Sequence, residues 1–83
     1  MKINLLYFAA LREQLGAAEV FELAEGATVG QLRDLLIERS DAHAAALTRK
    51  RTIRSAVDKV LSREDAVLSD GAEVAFFPPV TGG

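Results

Sequence analysis

The sequence predicts an α+β domain in which a mixed β-sheet carries one main helix across one of its faces. Three observations point there. Residues rich in β-formers, alternating with a period of two, stand near both ends of the chain, over Lys2 to Phe8 and in the segment "SDGAEVAFF". Between them, Thr28 opens a run whose apolar residues recur at helical spacing. The chain has 83 residues and no cysteine. That length makes one domain, burying about 60% of its unfolded surface, and the missing thiols exclude both disulfides and thiolate metal sites.

Each element follows in order. In the first strand, Ile3, Leu5 and Tyr7 share one face while Leu6 and Phe8 share the other. "ALREQLG" then places Leu11 and Leu15 four apart, with Gly16 positioned to stop a short helix. Ala18 to Leu23 reads as a second strand with Val20 and Phe21 as its apolar content, antiparallel to the first across a short connection. Thr28 and Gln31 have the spacing of a capping box. Val29, Leu32, Leu35 and Leu36 are expected to line the buried face of the helix that follows, and Gln31, Arg33, Asp34 and Glu38 the solvated one. Ser40 or Asp41 caps a second helical piece through Leu47, whose alanines supply propensity rather than bulk. Ile53 to Leu61 reads as two short strands around Asp58-Lys59. An Asp70-Gly71 turn then feeds a last strand, with Val74 and Phe76 facing one way and Ala75 and Phe77 the other.

Charge and composition narrow the function. The formal net charge of −2 gives no electrostatic footprint for nucleic acid. The lone histidine, His43, argues against a metal site or a histidine-based catalytic pair and is expected on a solvated helix position. The opening "MKINLLYFAAL" is broken by Asn4 and closes on Arg12-Glu13, unlike a signal peptide, and no stretch approaches the ~20 apolar residues of a membrane span. A cytoplasmic protein is the expectation. The basic run Arg49, Lys50 and Arg51, joined by Arg54, reads either as a solvated loop or as a docking surface for an acidic partner.

The ending "FFPPVTGG" is the most patterned part of the chain. Pro78 lacks an N–H and Pro79 holds the residue before it extended, so the strand must stop there. Residues 1–77 are thus expected to form the domain and 78–83 an extended tail. The six residues from Pro78 onward reach about 20 Å when extended. Gly82 and Gly83 have no Cβ and can thread a channel closed to other residues. A carboxylate on Gly83 is a poor electrophile until an ATP-dependent partner converts it to an acyl-adenylate, which a sulfur or amine nucleophile can attack. By strand parity, Phe8 and Phe77 lie together on the face turned away from the helix, and Leu61 can join them. Outward aromatics on so small a domain suggest a partner surface.

"DGAEVAFFPPVTGG", together with "YFAALRE" and "SAVDKVL", resembles the MoaD-type sulfur carriers, the small subunits of molybdopterin synthase within the MoaD/ThiS ubiquitin-like family. Asp58 and Ala72 depart from that pattern, which commonly has asparagine and aspartate there. The resemblance implies a ubiquitin-like β-grasp fold with the first and last strands adjacent in mid-sheet. It also implies that Gly83 is adenylated by an E1-like enzyme using ATP, thiocarboxylated by a sulfur donor protein, and delivered to the large synthase subunit in a heterotetramer. There it would donate sulfur to cyclic pyranopterin monophosphate. Gly82, Thr81, Val80, Pro79 and Pro78 would position the tail, and Phe8, Leu61 and Phe77 would dock the partner. The chain itself would bind no cofactor and would not be catalytic alone.

Other readings share this chemistry up to the adenylate. A ubiquitin-like modifier would pass its terminal glycine to protein lysines. A ThiS-type carrier would supply sulfur for thiazole synthesis. A plain binding module would carry an inert tail.

Overall fold

The computed structural model describes residues 1–79. Its elements are β1 (Lys2–Tyr7), α1 (Ala10–Leu15), β2 (Ala18–Glu22), α2 (Val29–Arg39), α3 (Asp41–Leu47), β3 (Arg54–Val57), β4 (Val60–Ser62) and β5 (Glu73–Phe77). The five strands form one sheet in the order β2-β1-β5-β3-β4. β1 and β5 run parallel, and every other neighbouring pair is antiparallel. This is the mixed sheet expected from the sequence, with the first and last strands adjacent and β5 in the centre.

Two turns set where β5 starts. Asp70 Oδ1 accepts from the Lys2 N–H at 2.8 Å, and the Gly71 N–H donates to the Lys2 carbonyl at 2.8 Å. Gly71 reaches this position at φ 82, a conformation glycine adopts at little cost. On the other flank, the β3–β4 hairpin turns through Asp58 and Lys59, both at positive φ (49 and 71), as a two-residue turn with the right twist requires. The Asp58 N–H donates to the Glu73 carbonyl at 2.8 Å and its Oδ1 accepts from the Glu73 N–H at 3.0 Å. Asp58 thereby ties the hairpin to the first residue of β5.

The alternation along β1 and β5 holds. Ile3, Leu5, Tyr7, Val74 and Phe76 are buried against Leu11, Val29, Leu32, Leu36, Ala46 and Leu47 of the helices. The Tyr7 and Phe76 rings stack with centroids 6.4 Å apart. The capping box of α2 is formed in full: the Thr28 hydroxyl accepts from the Gln31 N–H, and the Gln31 side chain accepts from the Thr28 N–H. Ser40, rather than Asp41, caps α3, its hydroxyl accepting from the His43 N–H at 3.1 Å. Ala46 is fully buried beside Leu47, so that alanine serves close packing as well as propensity.

Val20 faces solvent, because its β1 neighbour is the outward-facing Asn4. Three side chains depart from their expected places. Leu35 is 44% exposed and Arg33 only 4%, the reverse of the amphipathic reading of α2. Arg33 goes inside because its guanidinium satisfies four groups at once: the carbonyls of Leu47, Thr48 and Arg51 and the Glu64 carboxylate, at 2.7–3.0 Å. Five donors in a planar fork suit that task better than an ammonium would. His43 is the third. Its side chain is 13% exposed rather than solvated, with Nε2 2.8 Å from Glu19 Oε2 and Nδ1 2.6 Å from Ser40 Oγ.

The basic run is divided the same way. Arg49 is paired to Asp34 and Glu64 and donates to the Gly30 carbonyl, so it fastens the loop after α3 to the start of α2. A Cβ at Gly30 would meet Glu64 Oε1, Cβ and carbonyl oxygen at 3.2–3.3 Å, closer than ordinary van der Waals contact. Neither the solvated-loop reading nor the docking-surface reading describes Arg49.

The two carboxylates at these junctions are both perturbed downward. Burial pushes the Glu19 carboxyl up, but hydrogen bonds from His43 and Tyr7 and the charge of Arg39 outweigh it and hold it below its ordinary range. Burial likewise raises Glu64, and the Arg49 and Arg33 guanidiniums more than reverse it. Tyr7 moves the other way, pushed far up by burial, then by its bond to Glu19 and that carboxylate's charge.

β1 ends at Tyr7 rather than Phe8 because the chain turns sharply at Ala9, at φ 54 and ψ −131. That region is essentially restricted to glycine and costs an L-residue about 1–3 kcal/mol. Ala9→Gly is therefore expected to raise unfolding free energy by about 1 kcal/mol after the added freedom of the unfolded chain is subtracted. A urea titration checks this through a higher midpoint.

Stability is expected to hold between about pH 5 and pH 9 and to fall on both sides. Glu19 and Glu64 ionise more readily folded than unfolded, so their contribution is present above the ordinary carboxylate range and is lost as pH falls through the folded values. Tyr7 ionises less readily folded, so its contribution is present below about pH 10 and is lost above it. Chemical denaturation across pH measures both limbs. Tyr7 is the only tyrosine, so tyrosinate absorbance should rise at alkaline pH only together with unfolding.

Candidate docking face and tail base

The site is assembled by strand register on the sheet face opposite the helices. Tyr7 pairs with Phe76 across the parallel ladder, and the Phe8 N–H donates to the Phe76 carbonyl at 3.2 Å. Phe8 and Phe77 are therefore neighbours just beyond that pair, each one residue past an inward-facing ring. Phe8 is 45% exposed and Phe77 half-buried. Both stand at the end of the sheet where the chain leaves β5.

Leu61 reaches the same face by a longer path. Leu6 pairs with Ala75, Ala75 with Ala56, and Ala56 with Leu61. These four make a row across the outer face in which Leu61, 66% exposed, is the outermost member. At about 4.8 Å per strand, Leu61 lies roughly 10 Å from the β5 axis. Strand register thus sets Phe8 beside Phe77 and Leu61 apart, with Ala75 and Ala56 as the floor between them. Small side chains leave that floor low, so the larger apolar groups rise at its edges.

Leu6, Ala56 and Ala75 belong to this surface and were not singled out from the sequence. Their parity was visible for β1 and β5, but only the pairing of β3 with β5 reveals that Ala56 continues the row. The opposite end of the outer face is largely polar. Lys2, Asn4 and Glu22 lie there with Glu73 and the exposed Val20, and the aromatic side chains of this face stand at the end from which the chain leaves β5.

Pro78 and Pro79 are half-buried and follow directly on β5, which stops at Phe77 as the missing proline N–H requires. Val80, Thr81 and Gly82, expected to position the tail, and Gly83, expected to carry the reactive carboxylate, lie outside the described residues. Among the described residues, no group of three or more His, Asp or Glu side chains is placed to hold a metal ion, and no helix is long and apolar enough to cross a membrane. Both polar junctions, Glu19–His43 and Arg33–Glu64–Arg49, hold the helical layer to the rest of the domain and take no part in the docking face.

The arrangement is a presenting surface: an apolar patch beside a stiffened exit for a chain end that carries no bulky side chain at its last two positions. Comparison with known proteins agrees. The ThiS family model matches residues 5–83. The molybdopterin synthase sulfur carrier subunit of Escherichia coli K12 is 43% identical over 81 residues, spanning 98% of this chain and 99% of that protein. Among solved structures, SAMP1 of Haloferax volcanii superposes with a TM-score of 0.79 at 27% identity, each chain fully covered. A molybdopterin converting factor subunit 1 homologue from Pyrococcus furiosus gives 0.73 at 32% identity, covering 96% of this chain and 99% of the other. With the ThiS family model matching residues 5–83 and a sulfur carrier subunit 43% identical over nearly the whole of both chains, this chain belongs to the ThiS family.

Proposed function

We propose that this protein is the sulfur-carrying small subunit of a molybdopterin synthase, and that Gly83 is its working group. An E1-like partner joins the Gly83 carboxylate to the AMP portion of ATP, releasing pyrophosphate. The terminal sulfur of a persulfide on a sulfur donor protein then attacks the acyl carbon and AMP departs; a thiol cleaves the resulting acyl disulfide, forming a disulfide with the donor and releasing the thiocarboxylate. The loaded tail enters the large synthase subunit and gives its sulfur to cyclic pyranopterin monophosphate. Two sulfurs are needed per dithiolene, which suits a heterotetramer with one carrier at each large subunit.

The observation that carries this reading is the full-length similarity to sulfur carrier subunits, extending through the Pro-Pro-Val-Thr-Gly-Gly ending. It is supported by the strand register that sets Phe8 beside Phe77, the residue before Pro78. In this scheme residues 78–83 are the tail: Pro78, Pro79, Val80 and Thr81 set its direction, and Gly82 admits it to a narrow channel. Phe8, Leu61 and Phe77 bind the partner. Acid, base and cationic groups for each chemical step belong to the partners, and the chain binds no cofactor of its own. These reactions take place in the cytoplasm.

Deleting Gly83 is expected to abolish sulfur loading while leaving the unfolding midpoint unchanged. Intact mass measurement after incubation with the adenylating enzyme, ATP and a sulfur source reads this directly. The full chain should gain the mass of one oxygen-to-sulfur exchange in its C-terminal fragment; lysine-linked conjugates in place of that gain would identify a protein modifier instead. Phe77→Asp should weaken binding to the large subunit by about 2 kcal/mol, roughly thirtyfold, since it puts a charge at the centre of an apolar contact. Calorimetric titration measures it, and unchanged affinity would locate the docking face elsewhere.

A further inference from the structure

The tail end of the outer face also carries charge. Arg54 pairs with Phe77 in the β3–β5 ladder. Arg63 follows Ser62, the last residue of β4, which pairs with Ser55, so it stands just past the end of β4 nearest Arg54. Ser55 is buried on the helix side, and alternation turns Arg54 outward with Ala56's neighbours. Leu61 is on the outer face, and Arg63 stands two residues beyond it. Both arginines are exposed.

Two cations at the same edge of an exposed face repel one another. Among the described residues neither Arg54 nor Arg63 makes an ion pair, whereas Arg33, Arg39 and Arg49 all do. Glu64, adjacent to Arg63 in sequence, is already held by Arg33 and Arg49. The chain's net charge is −2, so two cations at one edge run against its overall balance.

We propose that Arg54 and Arg63 form a cationic lip on the docking face, which pairs with carboxylates on the partner protein that receives the tail. The apolar patch supplies attraction without direction. Two cations at one end of it distinguish the tail end from the other, so that encounter is steered and the tail root arrives at the channel mouth. The partner is an acidic-rimmed protein surface, and the repulsion between the arginines is relieved when it docks. This inference rests on the sulfur-carrier reading, which supplies the partner used to test it.

The experiment is stopped-flow association of the full chain with the large molybdopterin synthase subunit from the same source. Rates are compared at low salt and at about 0.5 M salt, where the screening length falls to a few ångströms. The double variant Arg54→Gln/Arg63→Gln is expected to associate roughly fivefold more slowly at low salt, with the difference vanishing at high salt. Its thermal midpoint should be equal to or above that of the parent. An unchanged rate and salt dependence would overturn the proposal, as would a loss of binding that persists at high salt with a lowered midpoint. Phe77→Asp in the same assay separates the two ideas. If it weakens binding while the arginine variant does not, the lip fails and the docking face stands. If the parent chain does not bind the large subunit at all, both fall.

Discussion

The parallel pairing of β1 with β5 is the constraint on which the rest of this structure depends. It joins segments about seventy positions apart in sequence, Asn4 to Tyr7 with Glu73 to Phe76, and a parallel pair has no short turn to enforce its register. Register comes instead from Asp70 and Gly71, bound to the backbone of Lys2, and from Asp58, which holds Glu73 from the other side. A shift of one residue would turn Val74 and Phe76 out of the core and put Ala75 and Phe77 in it. The same pairing puts Phe8 beside Phe77. Core and docking face are therefore two sides of one alignment, and a change that loosens the first disturbs the second.

The helical layer is held by a different kind of force. α3 is short and rich in alanine, with little bulk to anchor it. Its two ends are fastened by polar contacts: Ser40 and His43 near the start, the latter reaching Glu19 on β2, and Arg33 at the end, taking the carbonyls of Leu47 and Thr48. Burying a guanidinium carries a desolvation cost that only complete pairing offsets, and no buried side-chain nitrogen or oxygen among the described residues lacks a partner. These junctions give a small domain with a modest core a defined arrangement of its helices. They also leave the opposite face of the sheet free for another protein.

Division of labour explains the composition of that face. Attachment needs an apolar patch, and delivery of the tail needs the patch to sit where the chain departs. The alanines at positions 56 and 75 keep the middle of the patch low, while Phe8, Phe77 and Leu61 would provide contact area around it in the proposed complex. Pro78 and Pro79 end the strand at the edge of the patch. The strained turn at Ala9 lies immediately after Phe8 and leads the chain away from the same edge.

Features encoded within a few residues were legible in the sequence alone. Alternation assigned the inner faces of β1 and β5, the T-x-x-Q spacing located the start of α2, and the two prolines marked the end of β5. The fold class followed from the order of strands and helices. Tertiary structure decided what depends on distant partners. Arg33 is a surface residue by helical periodicity and a buried one because three carbonyls and Glu64 converge on it. His43 is drawn inward by Glu19, a residue twenty-four positions away. Leu35 is left outside because Arg33 occupies the inner position. Ala56 and Arg54 join the docking face only because β3 lies against β5. The physical reason is common to all of these: spacing determines the face on which a side chain lies, but its surroundings are set by elements brought there by the rest of the fold.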